Sequence, residues 1–101
     1  MEKVINRPKD KNKDEIKEPP MFKVIILNDN YSSFELVIFI LMKIFHKSEN
    51  DAKIATIQVH QSGSAIAGIY TADIAETKCF EAMAIARQNQ MPLKLIVEES
   101  N

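Results

Sequence analysis

The chain has 101 residues, of which 46% are hydrophobic, and this is enough for one compact domain with a single core. Its 13 basic and 14 acidic residues give a net charge of −1, which excludes the positive excess that a nucleic-acid-binding protein needs. Its single cysteine excludes an internal disulfide, and its longest apolar run, at 34–45, is shorter than the roughly 20 residues of a membrane-spanning helix.

Charged side chains dominate the first 20 residues, which contain few large apolar ones. Such a segment cannot bury enough apolar surface to offset the entropy of ordering it. We therefore expect a disordered charged tail over residues 1–20 and a folded domain over residues 21–101. The tail also lacks the apolar stretch of a secretory signal, so we expect a cytoplasmic protein with no membrane partner.

The run MFKVIIL at 21–27 predicts a buried strand, because it is short, rich in β-branched residues and bounded by turn-forming residues. The polar triplet Asn28-Asp29-Asn30 follows it and has two interpretations. It is a turn, since Asn and Asp bond their own backbone there, or it is a cation site whose carboxylate and amide oxygens receive an ammonium group. A neutral His60 would add another acceptor if it lay near Asp29.

A helix is predicted after the triplet. Ser32 and Glu35 form a capping box, with Tyr31 spaced to pack against Leu36 as a hydrophobic staple. The helix should run to about Phe45, and its near-continuous apolar sequence predicts burial on most of its sides.

A second helix follows, with Ser48 as its N-cap and Gly63 as its C-cap. One of its stripes is apolar and consists of Ala52, Ala55 and Val59. The segment 65–70 then predicts a strand, in which Gly68 allows close packing or a bulge.

Thr71 can cap a third helix, which ends before Pro92. Its buried stripe is predicted at Ala75, Cys79, Ala82, Met83 and Ala86. A last strand alternates from Leu93 to Val97. The order β-α-α-β-α-β predicts an α+β fold, a small domain with a three-stranded antiparallel sheet and three helices packed on one face.

The sequence disfavours a metal centre and a catalytic nucleophile. His46, His60 and Cys79 lack the spacing of metal ligands. Cys79 lies on an apolar helical stripe, where a free cysteine behaves as a small hydrophobe. A small hydrolase using Cys79 or His60 would need a second catalytic partner that we do not find. We expect no metal, no cofactor and no enzymatic activity.

Three longer segments together are typical of a known family. They are FKVIILNDNYSSFELVIFIL, IQVHQSGSAIAGIYTADIAETK and MPLKLIVEE. Over about residues 19 to 99, the chain resembles the ClpS adaptors of ATP-dependent Clp proteases. The resemblance implies an adaptor that delivers proteins with destabilising large hydrophobic N-terminal residues (Leu, Phe, Tyr and Trp) to a Clp AAA+ unfoldase-protease.

The resemblance also implies roles for individual residues. The substrate's α-amino group, mostly cationic at neutral pH, would be held by Asn28, Asp29 and His60. The substrate's first side chain would enter a pocket formed by Ile26, Ser32, Phe34, Val37, Thr56, Val59 and Leu93. Asp73 and Lys78 would contact the N-terminal domain of the unfoldase, and residues 1–20 would engage the unfoldase during delivery.

Several positions depart from the family's usual pattern. The family usually has Asp at position 30, Thr-Pro at 32–33, Met at positions 34 and 56, and Glu at position 73. Because Phe34 stands at the family's gatekeeper position, we expect the large N-terminal residues to bind in a changed order of preference.

A ribosome-associated interaction module is the alternative, since the C-terminal domain of the ribosomal stalk protein has a similar small fold. A polar tail ending in two prolines does not supply the dimerisation helix which that module requires.

Overall fold

A computed structural model of the chain describes residues 18–100. The elements are β1 (Met21–Leu27), α1 (Phe34–Lys43), α2 (Glu49–Ser62), β2 (Ser64–Thr71), α3 (Ala72–Gln88) and β3 (Lys94–Glu99). The predicted element order is therefore confirmed. The expected disordered tail falls mostly outside the described residues; of it, residues 18–20 are described, and they are exposed and precede β1.

The sheet has the order β2-β1-β3, and both strand pairs are antiparallel. The pairing of β1 with β2 is irregular between Val24 and Ile25. These neighbours pair with Gly68 and Ile66, so one residue of β2 lies between the two partners and has no partner on β1. A Cβ at Gly68 would collide with the ring of Tyr70, which explains why a glycine stands at this bulge.

The helices cover one face of the sheet. On this face Val24 and Ile26 of β1 and Leu95 of β3 are each at most 2% exposed. The predicted stripes of α2 and α3 pack against them, and of these stripe residues only Met83 is partly rather than fully buried. On the opposite face Ile25 lies between Ile66 and Ile96, its partners on the two edge strands. The antiparallel sheet therefore has one packed face and one open face.

Two details at the start of α1 differ from the prediction. The N-cap is Ser33, whose hydroxyl accepts a hydrogen bond from the backbone N–H of Leu36 at 3.2 Å. Ser32 is not the cap because its own hydroxyl donates to Asp29 at 2.8 Å. The predicted staple is wrong as well, since Tyr31 is 77% exposed.

Helix α1 is also less buried than its sequence predicted. Leu36, Val37, Ile40 and Leu41 are buried, but Phe39 is 50% exposed and Met42 is 39% exposed. The expectation of burial on most sides is therefore wrong, because α1 packs on the core along one face only. The helix ends at Lys43, with Ile44 as its C-cap.

The caps of the other two helices mostly follow the prediction. The hydroxyl of Ser48 accepts from the backbone N–H of Asp51 at 3.1 Å, and Gly63 ends α2 in the left-handed region at φ 92°. Thr71 occupies the N-cap of α3, but its side chain makes no capping hydrogen bond. Across residues 18–100, the structure contains no helix of the length and apolarity needed to span a bilayer.

Candidate functional site

A cavity of about 190 Å³ opens where the β1–α1 loop meets α1, α2 and the segment that leads into β3. It is lined by Leu27, Asn28, Asp29, Asn30, Ser32, Phe34, Val37, Thr56, Val59, His60 and Leu93. All of the residues expected at the amine site and the side-chain pocket line this cavity except Ile26. Leu27 and Asn30 line it in addition.

One backbone hydrogen bond brings the polar residues that follow β1 and the last turn of α2 together at one end of the cavity, which we call its polar end. The N–H of Asn28, at the end of β1, donates to the carbonyl of Gly63 at 2.9 Å. Because Gly63 caps α2, this bond holds the last turn of that helix, and His60 with it, beside the end of β1. Residues far apart in sequence therefore line one side of the cavity.

Asp29 organises the loop that enters α1. Its Oδ1 accepts hydrogen bonds from the backbone N–H groups of Tyr31 and Ser32, both at 2.7 Å, and its Oδ2 accepts from the hydroxyl of Ser32. The turn interpretation of the triplet is thus correct in its geometry. A carboxylate has about four acceptor sites, so three bonds leave capacity for a ligand donor.

The surroundings of Asp29 also keep it ionised. Burial acts to raise the pKa of this carboxyl group, but the hydrogen bonds from Tyr31 and Ser32 and the positive charge of Arg87 outweigh burial and lower the pKa below its ordinary value. The cavity consequently carries a full negative charge at neutral pH.

Two aromatic rings stand together in the lining of the cavity. The centroids of Phe34 and His60 are 5.3 Å apart, and the rings meet edge to face at 70°. Phe34 is 46% exposed, so its ring is accessible from solvent. A rigid aromatic side chain therefore forms part of the boundary between the cavity and its surroundings.

The other walls are apolar or have satisfied polar atoms. Val37 and Val59 are almost fully buried, and Thr56 is 2% exposed. The hydroxyl of Thr56 donates to the carbonyl of Ala52 one turn earlier at 2.7 Å, so its proton is already used. Leu93 is 1% exposed and closes another side. These walls suit a hydrocarbon group.

Ile26 is the one expected pocket residue that is not part of the lining of this cavity. It is fully buried on the helix-covered face of the sheet, together with Val24 two residues earlier, since alternate residues of a strand share a face. It belongs to the core and does not line the cavity. Leu27, the last residue of β1, lines the cavity instead.

The residues expected to contact the unfoldase lie outside the cavity. Asp73 is exposed in the first turn of α3. The ammonium of Lys78 donates to the carbonyl of Ile44 at 2.8 Å and lies 5.3 Å from the centroid of the Tyr70 ring. Lys78 therefore ties α3 to the C-terminal end of α1.

Sequence reasoning missed Arg87 entirely. Its guanidinium Nη1 donates to the carbonyls of Met91 and Leu93, at 2.9 and 2.7 Å. A basic residue in the last turn of a helix is common, because it suits the helix dipole. The sequence carried no signal of the contacts that Arg87 makes with the following segment.

The chemistry available at the cavity is that of binding. An ionised carboxylate and further polar side chains lie next to the apolar walls of the cavity. This arrangement suits a molecule that carries both an ammonium group and a hydrocarbon side chain. The Cys79 thiol donates to the carbonyl of Leu95 at 3.3 Å, and burial raises its pKa, so it is a protonated core residue. Within residues 18–100 no group of three His, Cys, Asp or Glu side chains could hold a metal ion.

Comparisons with known proteins agree on one family. The model of the family described as ATP-dependent Clp protease adaptor protein ClpS matches residues 17–96. The ATP-dependent Clp protease adapter protein ClpS of Myxococcus xanthus is 46% identical over 86 residues, which cover 85% of this chain and 80% of that protein. The ClpS adapter of Desulfotalea psychrophila is 45% identical over 85 residues, with 84% and 83% covered.

A solved structure is also similar. The structure of Agrobacterium tumefaciens ClpS2 bound to L-phenylalaninamide superimposes with a TM-score of 0.80 and 34% sequence identity, covering 82% of this chain and 100% of that chain.

Proposed function

The chain belongs to the ClpS family of adaptor proteins for the ATP-dependent Clp protease, and from this we propose that it binds proteins whose first residue is Leu, Phe, Tyr or Trp and delivers them to a Clp AAA+ unfoldase. The adaptor itself carries out no catalysis. The observation that carries the proposal is the ionised Asp29 at the polar end of a cavity of about 190 Å³ whose other walls are apolar.

The polar end of the cavity would receive the α-amino group. A free α-amino group has an ordinary pKa of about 7.7–8.0, so it is mostly cationic at neutral pH and offers three donors. Asp29 supplies the opposite charge, and Asn28 and His60 supply further acceptors. An internal peptide N–H has neither the charge nor the additional donors, so only a true chain start meets these groups.

The apolar part would receive the first side chain. A cavity of about 150 Å³ already admits a benzene ring, and the whole cavity here, with its polar end included, measures about 190 Å³, which is of the size that the ring of Phe or the branched chain of Leu requires. Burying such a side chain contributes roughly 1.5–3 kcal/mol. The ligand named for the Agrobacterium protein, L-phenylalaninamide, combines a free α-amine with a benzyl side chain, which supports the same use of this cavity.

Delivery requires a second surface. We assign it to Asp73 and Lys78, for contact with the N-terminal domain of the unfoldase, and to the tail at 1–20, which would engage the unfoldase during transfer. Neither Asp73 nor Lys78 lines the cavity, so a bound substrate would not cover either residue.

Calorimetric titration with a Phe-initiated peptide and its N-acetylated twin tests the proposal. We expect the acetylated peptide to bind at least about 30-fold more weakly, because acetylation removes the charge and leaves the buried polar groups unpaired. Equal binding of the two peptides, or no binding of either, would contradict the proposed function.

A further inference from the structure

The segment between α3 and β3 forms one wall of the cavity although it has little regular structure of its own. Gln90 adopts a left-handed backbone with φ 59°, and Pro92 has no N–H to donate. The segment is held to the end of α3 by two backbone bonds, from Gln90 to the carbonyl of Arg87 and from Met91 to the carbonyl of Ala86, both at 2.9 Å.

The guanidinium of Arg87 supplies the remaining anchor. A single nitrogen, Nη1, donates to the carbonyls of Met91 and Leu93 and so spans the part of the segment that contains Pro92. Hydrogen bonds from a charged donor are stronger than neutral ones. Without Arg87, the partly buried carbonyl of Leu93 would lose this donor, and the segment around Pro92 would be held only by the packing of the Leu93 side chain in the core and by the start of β3 at Lys94.

The position of this segment matters because it forms part of the wall of two neighbouring cavities, one on each side. Leu93 closes the cavity of the proposed site. Met91 and Asn89 line a second, more open groove on the other flank of α1, together with Phe39. A shift of the segment away from α3 would therefore change the shape of the wall that Leu93 provides.

Arg87 is also electrostatically close to the polar end of the cavity. Its positive charge is one of the influences that lower the pKa of Asp29, which lies in the loop between β1 and α1. The same guanidinium thus acts on both the apolar wall and the charged end, although Arg87 does not itself line the cavity.

We propose that Arg87 is a positioning residue for substrate binding, because its guanidinium clamps the carbonyls of Met91 and Leu93 and thereby sets the Leu93 wall against the first side chain of the substrate. The role goes beyond helix stability, and it rests on the proposed function, since it requires that the cavity binds a chain start.

A double-mutant cycle separates this role from a merely structural one. The variants are Arg87→Met, Leu93→Ala and the pair together, and the readout is the fluorescence anisotropy of a labelled Phe-initiated peptide with a free amine. We expect Arg87→Met alone to weaken binding about tenfold. In the Leu93→Ala background the same change should weaken binding less than about threefold, because the wall that Arg87 positions is already gone.

A matched control removes a positive charge elsewhere. Lys53 forms an exposed pair with Glu49 at 3.0 Å on α2, and Lys53→Met should change the affinity less than about twofold. All variants are measured below their thermal midpoints, with circular dichroism confirming the fold. If Arg87→Met does not fold, Arg87→Lys carries the same cycle, since Lys keeps the charge but lacks the planar guanidinium.

The outcomes are distinct. If the loss of peptide affinity in the double variant equals the product of the two single losses, the positioning role is wrong and the proposed function stands. The same conclusion follows if Arg87→Met and Lys53→Met lower the affinity equally. Failure of the wild-type protein to distinguish the free peptide from its acetylated twin would overturn both.

Discussion

Asp29 has a structural role in the loop before α1 and, under the proposed function, a role in binding as well. Its side chain accepts three hydrogen bonds within the loop that leads into α1, and these bonds favour its ionised form. The loop is therefore folded around a charge that is also available to a ligand. Substitution of Asp29 affects both properties, so each must be measured separately.

The lowered pKa of Asp29 predicts a pH dependence of stability. Because the folded-state pKa lies below the unfolded value of about 3.9, the stabilisation from ionised Asp29 is present above that pH and is lost as the pH falls through the folded pKa. We expect the difference in unfolding free energy between the wild type and Asp29→Asn to stay constant from about pH 5 to 7 and to shrink at more acidic pH. Urea unfolding at each pH measures it, and a difference that persists undiminished to about pH 2 would contradict this explanation.

Phe34 is the residue that should set the ranking of substrates. Its ring is held edge to face with His60, and under the proposed function its rigid shape would limit which side chains enter the cavity. Replacing it by Met gives a flexible side chain that adapts to more shapes. We expect Phe34→Met to change the order of affinity among peptides that begin with Leu, Phe, Tyr, Trp, Ile and Val, with the largest relative gain for Trp.

The measurement for Phe34 is a set of competition titrations against one labelled peptide. Tyr31→Ala is a suitable control, since Tyr31 is 77% exposed and does not line the cavity. An unchanged order of affinities in Phe34→Met would reject the gatekeeper assignment.

At the scale of elements, cationic side chains secure the ends of helices. Lys78 of α3 donates to the carbonyl of Ile44, the C-cap of α1, and its ammonium also lies over the ring of Tyr70 in β2. Three elements therefore meet at one cation, which is more than the solvated lysine that sequence alone would suggest.

We expect Lys78→Met to lower the free energy of unfolding by about 1–2 kcal/mol, through loss of a charged hydrogen bond and a cation–π contact. Affinity for a Phe-initiated peptide should stay the same, because Lys78 does not line the cavity. Urea unfolding measures the change, with Lys53→Met as a control that should lose less than about 0.5 kcal/mol. Equal stabilities of the two variants would show that the contact contributes nothing.

Most elements were predictable because their signals are local. Ser48 and Gly63 bound α2 as expected, a short β-branched run between turn-forming residues identified β1, and the alternation of polar and apolar residues identified β3. The start of α1 was misplaced by one residue, because two adjacent serines compete for the cap and Asp29 engages the first of them. That choice depends on side-chain geometry that no spacing rule contains.

The candidate site was predictable only in part. The polar triplet after β1 and the resemblance to a family indicated most of the residues that line the cavity, but the resemblance also placed Ile26 in the pocket, whereas the lining contains Leu27. The contacts of Arg87 were invisible, since they join a helix end to an irregular segment that includes Pro92. Tertiary contacts of this kind leave no periodic trace in a sequence.

For the whole molecule, the central claim is that a charged chain start docks beside Asp29 while its first side chain fills the adjacent cavity. Such docking would join the β1–α1 loop, α2 and the segment before β3 in one function. It would also separate recognition of the substrate from the surface assigned to the unfoldase. Because the amine and the carboxylate would act as a pair, both are varied together.

The most direct measurement is the affinity of two peptides for the wild type and for Asp29→Asn. One peptide begins with Phe, and in the other the first residue is replaced by 3-phenylpropionyl, which keeps the ring and lacks the amine. We predict that the wild type prefers the amine at least about 30-fold, and that this preference falls to within about threefold in Asp29→Asn. The same preference in both proteins would contradict the account.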